Sequence, residues 1–481
     1  MKYRVKDNTI IISCDFNAEL DIELISRYTN LIFSDYLLNE KSLFESYAND
    51  NFDNLEYIGS KFNQNVSALP PFLTQLTFGR NFNQVVISLP QSLTHLTFGF
   101  NFNQDVSSLP HSLTHLTFGH RFNQDVISLP PFLTNLTFGK SFNKDVKLLP
   151  SNITHLTLGK SFNQNVSKLP PSLTHLTLGD NFNQNVSSLP PSLTHLTLGH
   201  SFVKDVSKLP PNLKHLTLGD GFYGDVNSLP PFLTHLKLGD GFDEDVNSLP
   251  HSLTHLTIGH YFDQDVSNLP HSLTQLILGN EFNRDVSNLP PSLTHLTLGH
   301  SFDKDVSSLP HNLTHLTFGE DFDQDVNSLP PYLTHLEFGE YFNQDISKLP
   351  STLIYLLLDL QFNQQYNIPS NIKYLSLNCN NQYIIDSLPN SIIELELGFD
   401  FNLRIDNLPT SIKKIKFHKN NNYYDADLNS LPDFVEELQL SYAYKKQILR
   451  IPSNLKKIIC HKKYLYIDDF KKLDVQTYGP N

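Results

Sequence analysis

The sequence predicts a parallel β-solenoid of about twenty stacked turns. Three observations lead to this prediction. From Phe62 to Pro350 the 481-residue chain repeats every 20 residues without insertion or deletion. Each repeat contains a short stretch in which apolar and polar residues alternate, as in a strand with one buried face. Each also contains a Leu-Pro pair, often followed by a second proline, which favours an extended limb opposite the strand and leaves no helix there.

Residues 1–54 do not repeat, and we expect them to form a small α/β cap at the end of the solenoid. A β-branched run predicts a short strand over Thr9–Ser13. The residues from Glu19 to Tyr47 are predicted to be helical, with Leu31 and Phe33 among those that pack on the first turn. A terminal cap is expected because the last turn of a solenoid exposes an open strand edge and an uncovered core. A separate small partner-binding module is the alternative for these residues.

Residues 55–350 contain the regular repeats, and the repeat that begins at Phe182 represents them. Its residues Leu193, Leu196 and Leu198 form an L-x-x-L-x-L pattern, which predicts a half-buried strand. The polar residues between these leucines then lie on the opposite face of the strand. A glycine ends the strand, and an asparagine-rich segment supplies the turn.

Residues 351–460 are predicted to be degenerate turns of the same kind, and residues 461–481 a C-terminal cap or tail. The strand pattern remains visible there, for example in Leu395-Glu396-Leu397. The prolines that mark these turns are Pro369, Pro389, Pro409, Pro432 and Pro452.

The composition excludes several classes of protein. Lys and Arg number 35 against 49 Asp and Glu, a net charge of −14, which excludes a chain-wide basic surface for nucleic acid. The three cysteines are far apart, so neither a disulfide framework nor a cysteine zinc site is expected. No stretch approaches the roughly 18 apolar residues of a membrane span, and the N-terminal apolar run is too short for a secretory signal. We therefore expect an intracellular, cytoplasmic protein that binds neither nucleic acid nor membrane.

The recurring Phe-Asn-Gln, followed by Leu-Pro-x-Ser-Leu-Thr-His-Leu-Thr-Leu-Gly, resembles the FNIP repeat. This family is related to the leucine-rich repeats, and its members occur in social amoebae and in giant viruses that infect amoebae. The resemblance covers residues 62–361 without gaps, with degenerate copies to about residue 460. It implies a leucine-rich-repeat-like solenoid that serves as a protein-interaction surface and has no known enzymatic activity.

Some members of this family carry an F-box-like segment before the repeats. That resemblance implies a substrate adaptor whose partners are components of a ubiquitin ligase. An F-box typically opens with Leu-Pro and an acidic residue, whereas the corresponding Leu20-Asp21-Ile22 here lacks the proline. The adaptor function therefore stays an alternative for residues 1–54.

A histidine opens the predicted strand in most repeats. Neighbouring rings would be about 4.8 Å apart, close enough for two imidazoles to share a metal. A defined zinc site also needs a third ligand and carboxylates that orient the rings, and the repeat supplies neither. We expect a solvent-facing ladder that binds no metal or cofactor, with adventitious metal binding as the alternative. We also expect the rings to have depressed pKa values, because protonated neighbours repel. The column comprises His95, His115, His155, His175, His195, His215, His235, His255, His295, His315 and His335.

Two further polar columns lie in the turns. An aspartate or asparagine, such as Asp205 or Asn185, is expected to cap the turn by accepting backbone N–H bonds, with calcium binding as the alternative. The column at Asn183 would suit an amide ladder. Val203, Tyr223 and several aspartates interrupt it, so we expect no continuous ladder.

The sequence predicts a non-enzymatic scaffold that binds proteins on its concave strand face. In the regular repeats most Ser, His and Asp residues recur as columns, whereas catalysis needs a unique cluster. The irregular turns after residue 350 offer unique side chains for specificity. The alternative is a spacer or recently duplicated paralogue without a dedicated ligand. The residues assigned to partner binding are His175, Thr177, His195, Thr197, His215, Thr217, His235, Thr257, Tyr355, Tyr374 and Tyr383.

Overall fold

A computed structural model describes residues 3–35 and 59–479. The chain divides into two compact units, Met1–Glu244 and Asp245–Asn481, which are considered separately. Each is a stack of parallel, in-register strands whose neighbours are about one repeat apart in sequence. The predicted β-solenoid fold is thereby confirmed. In residues 59–350 the limb opposite the strands contains no helix, as the Leu-Pro pattern indicates.

Unit 1 begins with two antiparallel strands, β1 (Tyr3–Lys6) and β2 (Thr9–Ile12), which confirms the strand predicted at Thr9. A four-residue helix, α1 (Ile22–Ile25), is capped by the Asp21 side chain, which accepts a hydrogen bond from the Leu24 backbone N–H. The next strand, β3 (Asn30–Phe33), runs parallel to β2. Together these elements form a small α/β segment in which β3 pairs with the first strand of the repeats.

The helix predicted from Glu19 to Tyr47 is wrong for the described residues. Only Ile22–Ile25 is helical, and Asn30–Phe33 is a strand that pairs with the first strand of the repeats. Leu31 and Phe33 do pack on the first turn, as expected, but from the buried face of a strand. The edge of the first repeat decides this outcome, because it offers hydrogen bonds to an extended segment and none to a helix. Residues 36–47 lie outside the described residues.

The remaining strands of unit 1 come from successive repeats and are all parallel. They are β4 (Gln75–Thr77), β5 (His95–Thr97), β6 (His115–Thr117), β7 (Asn135–Thr137), β8 (His155–Leu158), β9 (His175–Leu178), β10 (His195–Leu198), β11 (His215–Leu218) and β12 (His235–Leu238).

Unit 2 continues the pattern and then departs from it. The second helix, α2 (Gln382–Asp386), occupies one turn, and a short 3₁₀ helix (Ile467–Phe470) precedes the last strand. The strands are β13 (His255–Ile258), β14 (Gln275–Ile277), β15 (His295–Thr297), β16 (His315–Thr317), β17 (His335–Glu337), β18 (Tyr355–Leu358), β19 (Tyr374–Leu377), β20 (Glu394–Leu397), β21 (Lys414–Phe417), β22 (Glu437–Gln439), β23 (Lys457–His461) and β24 (Asp474–Tyr478).

The core of each unit is a set of apolar columns that repeat once per turn. Phe182 is fully buried and stacks on Phe162 and Phe202, with ring centroids 6.2 and 6.1 Å apart. Leu196 and Leu198 fill the side next to the strand. Each core residue therefore packs mainly on its own copies in the adjacent turns, so one turn alone cannot bury its apolar surface.

The glycine that ends each strand is needed for space. A Cβ atom on Gly199 would lie 2.5 Å from backbone atoms of Gly179 in the preceding turn. This is far below van der Waals contact, so the turns can stack at their spacing only if the column lacks side chains. The glycine column thus fixes the close approach of neighbouring turns.

Candidate binding surface on the strands

Histidine side chains form stacked rows on the solvent-facing side of the strands in each unit. In unit 1 the register of β8 to β12 aligns five imidazoles, whose neighbouring centroids are 4.0 to 4.2 Å apart. We call His155, His175, His195, His215 and His235 the histidine stripe. In unit 2 the same arrangement links His295, His315 and His335 at 4.2 Å.

A threonine before most of these histidines fixes the ring. The Thr194 hydroxyl lies 2.9 Å from Nδ1 of His195 and 3.1 Å from the Thr174 carbonyl oxygen of the preceding turn. This hydroxyl can donate to an unprotonated Nδ1 or accept from a protonated one, so it holds the ring in either tautomer. The other nitrogen, Nε2, is not tied to the threonine. The same contact recurs at His95, His115, His155, His175, His235, His255, His295, His315 and His335.

Five rings of the histidine column have lowered pKa values, which favours their neutral form. Burial, and then the neighbouring imidazoles, lower the pKa of His195 and of His315 to about 4. The same causes lower the pKa of His115, His175 and His295. The direction agrees with the expectation of depressed pKa values, although burial is the larger cause and repulsion between rings the smaller one.

The stacking geometry does not favour a chelated metal. Neighbouring rings such as His175 and His195 are inclined by only 12°, so their Nε2 lone pairs point side by side and do not converge on one ion. Among the described residues, no group of three or more His, Cys, Asp or Glu is arranged to hold a metal ion.

The predicted partner-binding residues fall into two groups. Thr177, Thr197, Thr217 and Thr257 share strands with the column histidines on the solvent-facing side, but Lys237 takes the corresponding position in β12. In unit 2, Tyr355 continues the column, with its ring 5.7 Å from that of His335. The remaining two tyrosines differ in their placement.

Tyr374 pairs in register with Tyr355 and is 42% exposed, so it extends the same row. Burial raises the pKa of Tyr355 to about 12. Tyr383 lies on α2, and its hydroxyl donates to Oδ1 of Asn367. The structure therefore brings Tyr355 and Tyr374 together with the histidine column and separates Tyr383 from it.

The repeats of this chain match a known family of repeat proteins. The model of the FNIP repeat matches ten segments that together span about two thirds of the chain. The chain belongs to the FNIP repeat family. The matched segments are 62–101, 85–121, 122–161, 162–201, 224–261, 245–281, 262–301, 282–321, 322–360 and 362–400.

Solved structures similar to this FNIP chain are leucine-rich-repeat proteins. The giant-virus protein CroV588, described as a circular leucine-rich-repeat protein, is 34% identical with a TM-score of 0.76, covering 96% of this chain and 77% of its own. YopM from Yersinia enterocolitica is 20% identical, with a TM-score of 0.42 and coverage of 78% and 93%. An internalin from Listeria monocytogenes is 20% identical, with a TM-score of 0.32 and coverage of 68% and 81%. A search of curated proteins finds no match.

The last FNIP-like turns carry a charged row that the sequence analysis missed. After Tyr374, the register continues the histidine column into residues of alternating charge, and Glu394 forms ion pairs with Lys416 and with Lys414, the latter at 3.9 Å. Aligning these turns on their prolines would have revealed the row. Its members are Glu394, Lys414, Glu437, Lys457 and Asp474.

The aspartate column of the FNIP turns caps the turns, as predicted. Oδ1 of Asp205 accepts the backbone N–H of Ser207 at 2.8 Å, and Asn185 makes the same bond to Ser187 at 2.7 Å. Hydrogen bonds from the Ser207 backbone and hydroxyl lower the pKa of Asp205. Aspartate and asparagine interchange here because the bond uses only a side-chain oxygen.

The asparagine ladder is interrupted, as expected, but the aspartates are not what interrupts it. Oδ1 of Asn163 accepts the Asn183 backbone N–H at 2.9 Å, and Asp303 accepts that of Asp323 at 3.1 Å in the same way. The ladder joins each turn to the next through an oxygen acceptor, so the aspartates extend it and do not interrupt it. Val203, which has no side-chain oxygen, does interrupt it.

One property of the chain bears on membranes. Among the described residues, no helix is long and apolar enough to cross a bilayer.

Proposed function

We propose that this FNIP-repeat protein is a non-enzymatic scaffold that binds protein partners on the solvent-facing side of its strands. The observation that supports it is the histidine stripe, in which five stacked rings present a continuous surface across β8 to β12. Repeat folds of this class use such strand faces as extended binding surfaces.

The stripe is suited to binding because it is already ordered. Stacking and the contact to threonine fix the ring of His195 before any partner arrives, so little side-chain entropy is lost on association. The depressed pKa of this ring keeps it neutral near pH 7, which lowers the cost of removing water from it. His175 and His215 flank it with the same stacking, so a partner at the centre of the stripe would be surrounded by the best-ordered part of the surface.

Specificity is proposed to come from the irregular turns of unit 2. There Tyr355 and Tyr374 replace histidine, and the charged row that begins at Glu394 replaces neutral rings. Large aromatic and charged side chains distinguish partners better than a uniform column does. The regular repeats would then provide area, and the irregular turns would select the partner.

A pair of matched variants tests this proposal. Thr177→Lys with Thr217→Lys adds two charges to the strand face, a change that the fold accepts at Lys237. The control, Ser188→Lys with Ser228→Lys, adds the same charge at exposed positions of the opposite limb. Partners are captured from native cells with each full-length chain and quantified by mass spectrometry. We expect the strand variant, and not the control, to reduce partner recovery at least about tenfold.

Two results would count against the proposal. Equal recovery with both variants would remove the strand face from recognition. Failure of the wild-type chain to retain any specific partner would favour the spacer alternative. Recovery of ubiquitin-ligase subunits by the wild type would instead favour the adaptor alternative. Deleting residues 1–54 is a poor test of that alternative, because Phe33 stacks on Phe62 at 4.0 Å and its removal would uncover the first turn.

A further inference from the structure

The chain turns a corner directly after each strand, and the charged residues at this corner are not part of the constant repeat pattern. After the column glycine, two positions vary from turn to turn while the neighbouring columns stay constant. In unit 1 these positions hold a basic residue in four of five successive turns, and Phe100 and Asn101 occupy them in the other turn. We call Arg80, His120, Arg121, Lys140 and Lys160 the basic corner.

An aromatic ring lies within the basic corner. The guanidinium carbons of Arg80 and Arg121 are 4.7 and 5.7 Å from the centroid of the Phe100 ring, and the His120 ring lies 4.4 Å from it. Lys140 and Lys160 follow in the next two turns, both exposed. Lys160 pairs with Asp180 at 3.3 Å, where the basic run ends. From residue 80 to 161 the two columns contain no Asp or Glu. The Asp35 carboxylate lies beside the first member and accepts the Arg80 backbone N–H at 2.6 Å.

The same two positions become acidic further along the chain, at Asp180, Asp220 and Asp240 of unit 1 and in three turns of unit 2. Glu281, Glu320, Asp321 and Glu340 form what we call the acidic corner. The side chains of Glu320 and Asp321 are 54% and 42% exposed, and both approach the ring of His300, at 3.1 and 3.9 Å. Glu281 approaches His260 at 3.5 Å. From residue 260 to 341 the two columns contain no Lys or Arg.

The two corners match in spacing as well as in charge. Both are built from turns of the same length with the same strand register, so their charges lie at multiples of about 4.8 Å along the stack. Each corner contains one turn without a residue of its sign, at residues 100–101 in the basic corner and 300–301 in the acidic corner. A row of cations and a row of anions with the same spacing can stay aligned over several turns, whereas an unrelated acidic surface has no reason to share that spacing. We propose that the basic corner of one molecule binds the acidic corner of a second copy of this chain.

This contact joins different surfaces of the two molecules, so each copy keeps one corner open for another copy. The charged pairs are exposed and each contributes modestly, so the association depends strongly on ionic strength. Phe100 adds apolar contact area at the basic end. The interface does not use the histidine stripe, so this proposal and the proposed binding function can fail independently.

Sedimentation velocity of the full chain over a range of concentrations tests the proposal. We expect the sedimentation coefficient to rise with concentration at about 20 mM salt and to stay at the monomer value at about 500 mM. Lys140→Glu with Lys160→Glu should weaken self-association at least about tenfold, and so should Glu320→Lys with Glu340→Lys. A mixture of these two variants should associate again, because the reversed corners complement each other.

The matched control is Lys168→Glu with Lys208→Glu, which changes the net charge equally at exposed positions of the opposite limb. It should associate like the wild type. Circular dichroism and melting temperature verify that each variant folds. A wild-type chain that stays monomeric at low salt would overturn the proposal. So would corner variants that associate like the wild type, a control that abolishes association, or a mixture that stays monomeric.

Discussion

Acidification from pH 7.5 to pH 5.5 should destabilise the protein through its stacked histidines. The pKa of His195 and of His315 is lowered to about 4 in the folded chain, whereas an unfolded histidine has a pKa near about 6.5. At pH 5.5 the unfolded chain therefore binds protons at these positions and the folded chain does not. Their contribution to stability is complete above pH 6.5 and is lost as the pH falls from there towards 4.

The size of the effect follows from the same values. One pH unit below the unfolded pKa, a ring that stays neutral in the folded state reduces the free energy of unfolding by about 1.4 kcal/mol. Two such rings together set an upper limit of about 3 kcal/mol on the reduction in the free energy of unfolding. Since His195 and His315 keep part of their surface in water, screening reduces this to about 1 to 2 kcal/mol. Each unit contains one of the two rings, so its share is about 0.5 to 1 kcal/mol, which for a unit of this size corresponds to a fall in melting temperature of roughly 1 to 4 °C.

Differential scanning calorimetry at the two pH values measures the effect. The control is His195→Gln with His315→Gln, because the fold already accepts glutamine in this column at Gln75 and Gln275. The variant should lose less stability between pH 7.5 and 5.5 than the wild type. The capping aspartates Asp145, Asp205, Asp285, Asp305 and Asp345 do not interfere, because hydrogen bonds lower their pKa values further away from this pH range. An equal pH shift in wild type and variant would refute the reasoning.

Three further predictions concern stability and are checked by thermal or urea unfolding. Leu196→Ala should reduce the free energy of unfolding by about 2 to 5 kcal/mol, because Leu196 is 2% exposed; parental stability would contradict its inward assignment. Gly199→Ala should destabilise by about 1 to 3 kcal/mol, because its Cβ would lie 2.5 Å from the Gly179 backbone; a neutral result would show that the turns can separate. Asn163→Ala should cost about 1 to 2 kcal/mol by removing the acceptor of the Asn183 N–H, whereas Asn163→Asp should be nearly neutral; equal losses would refute the acceptor-only ladder.

The sequence was sufficient to predict the fold because its pattern is both local and repeated. L-x-x-L-x-L and the Leu-Pro pair each specify the conformation of their own segment, and the constant spacing specifies the stack. The segment Asn30–Phe33 was misassigned because a short apolar run does not distinguish helix from strand by itself. What makes it a strand is the open edge of β4, a partner that is remote in sequence.

The surface was harder to predict than the fold, since its columns differ in what their side chains contact. Phe182 and Gly199 meet their own copies in the next turn, so uniformity at these positions is required for stacking. The asparagine column needs only an oxygen, so it tolerates Asp303, a chemical distinction that a comparison of letters does not reveal. The order in which Tyr374 leads to Glu394 can be found by aligning the irregular turns on their prolines, and the strand register places the two residues side by side.

The histidine column combines stacking on its own copies with exposure to solvent. This combination decides how its binding function should be tested. His195 stacks on its own copies, as a structural residue does, yet it faces solvent and keeps Nε2 clear of the threonine contact. Replacing it therefore changes stability and surface together, and a loss of binding alone would not separate the two. The neighbouring threonine column avoids this problem, because Lys237 shows that the strand accepts a charge there. If charges in that column remove a partner while the pH dependence of unfolding is unchanged, the histidine column is both a stacking element and part of the binding surface.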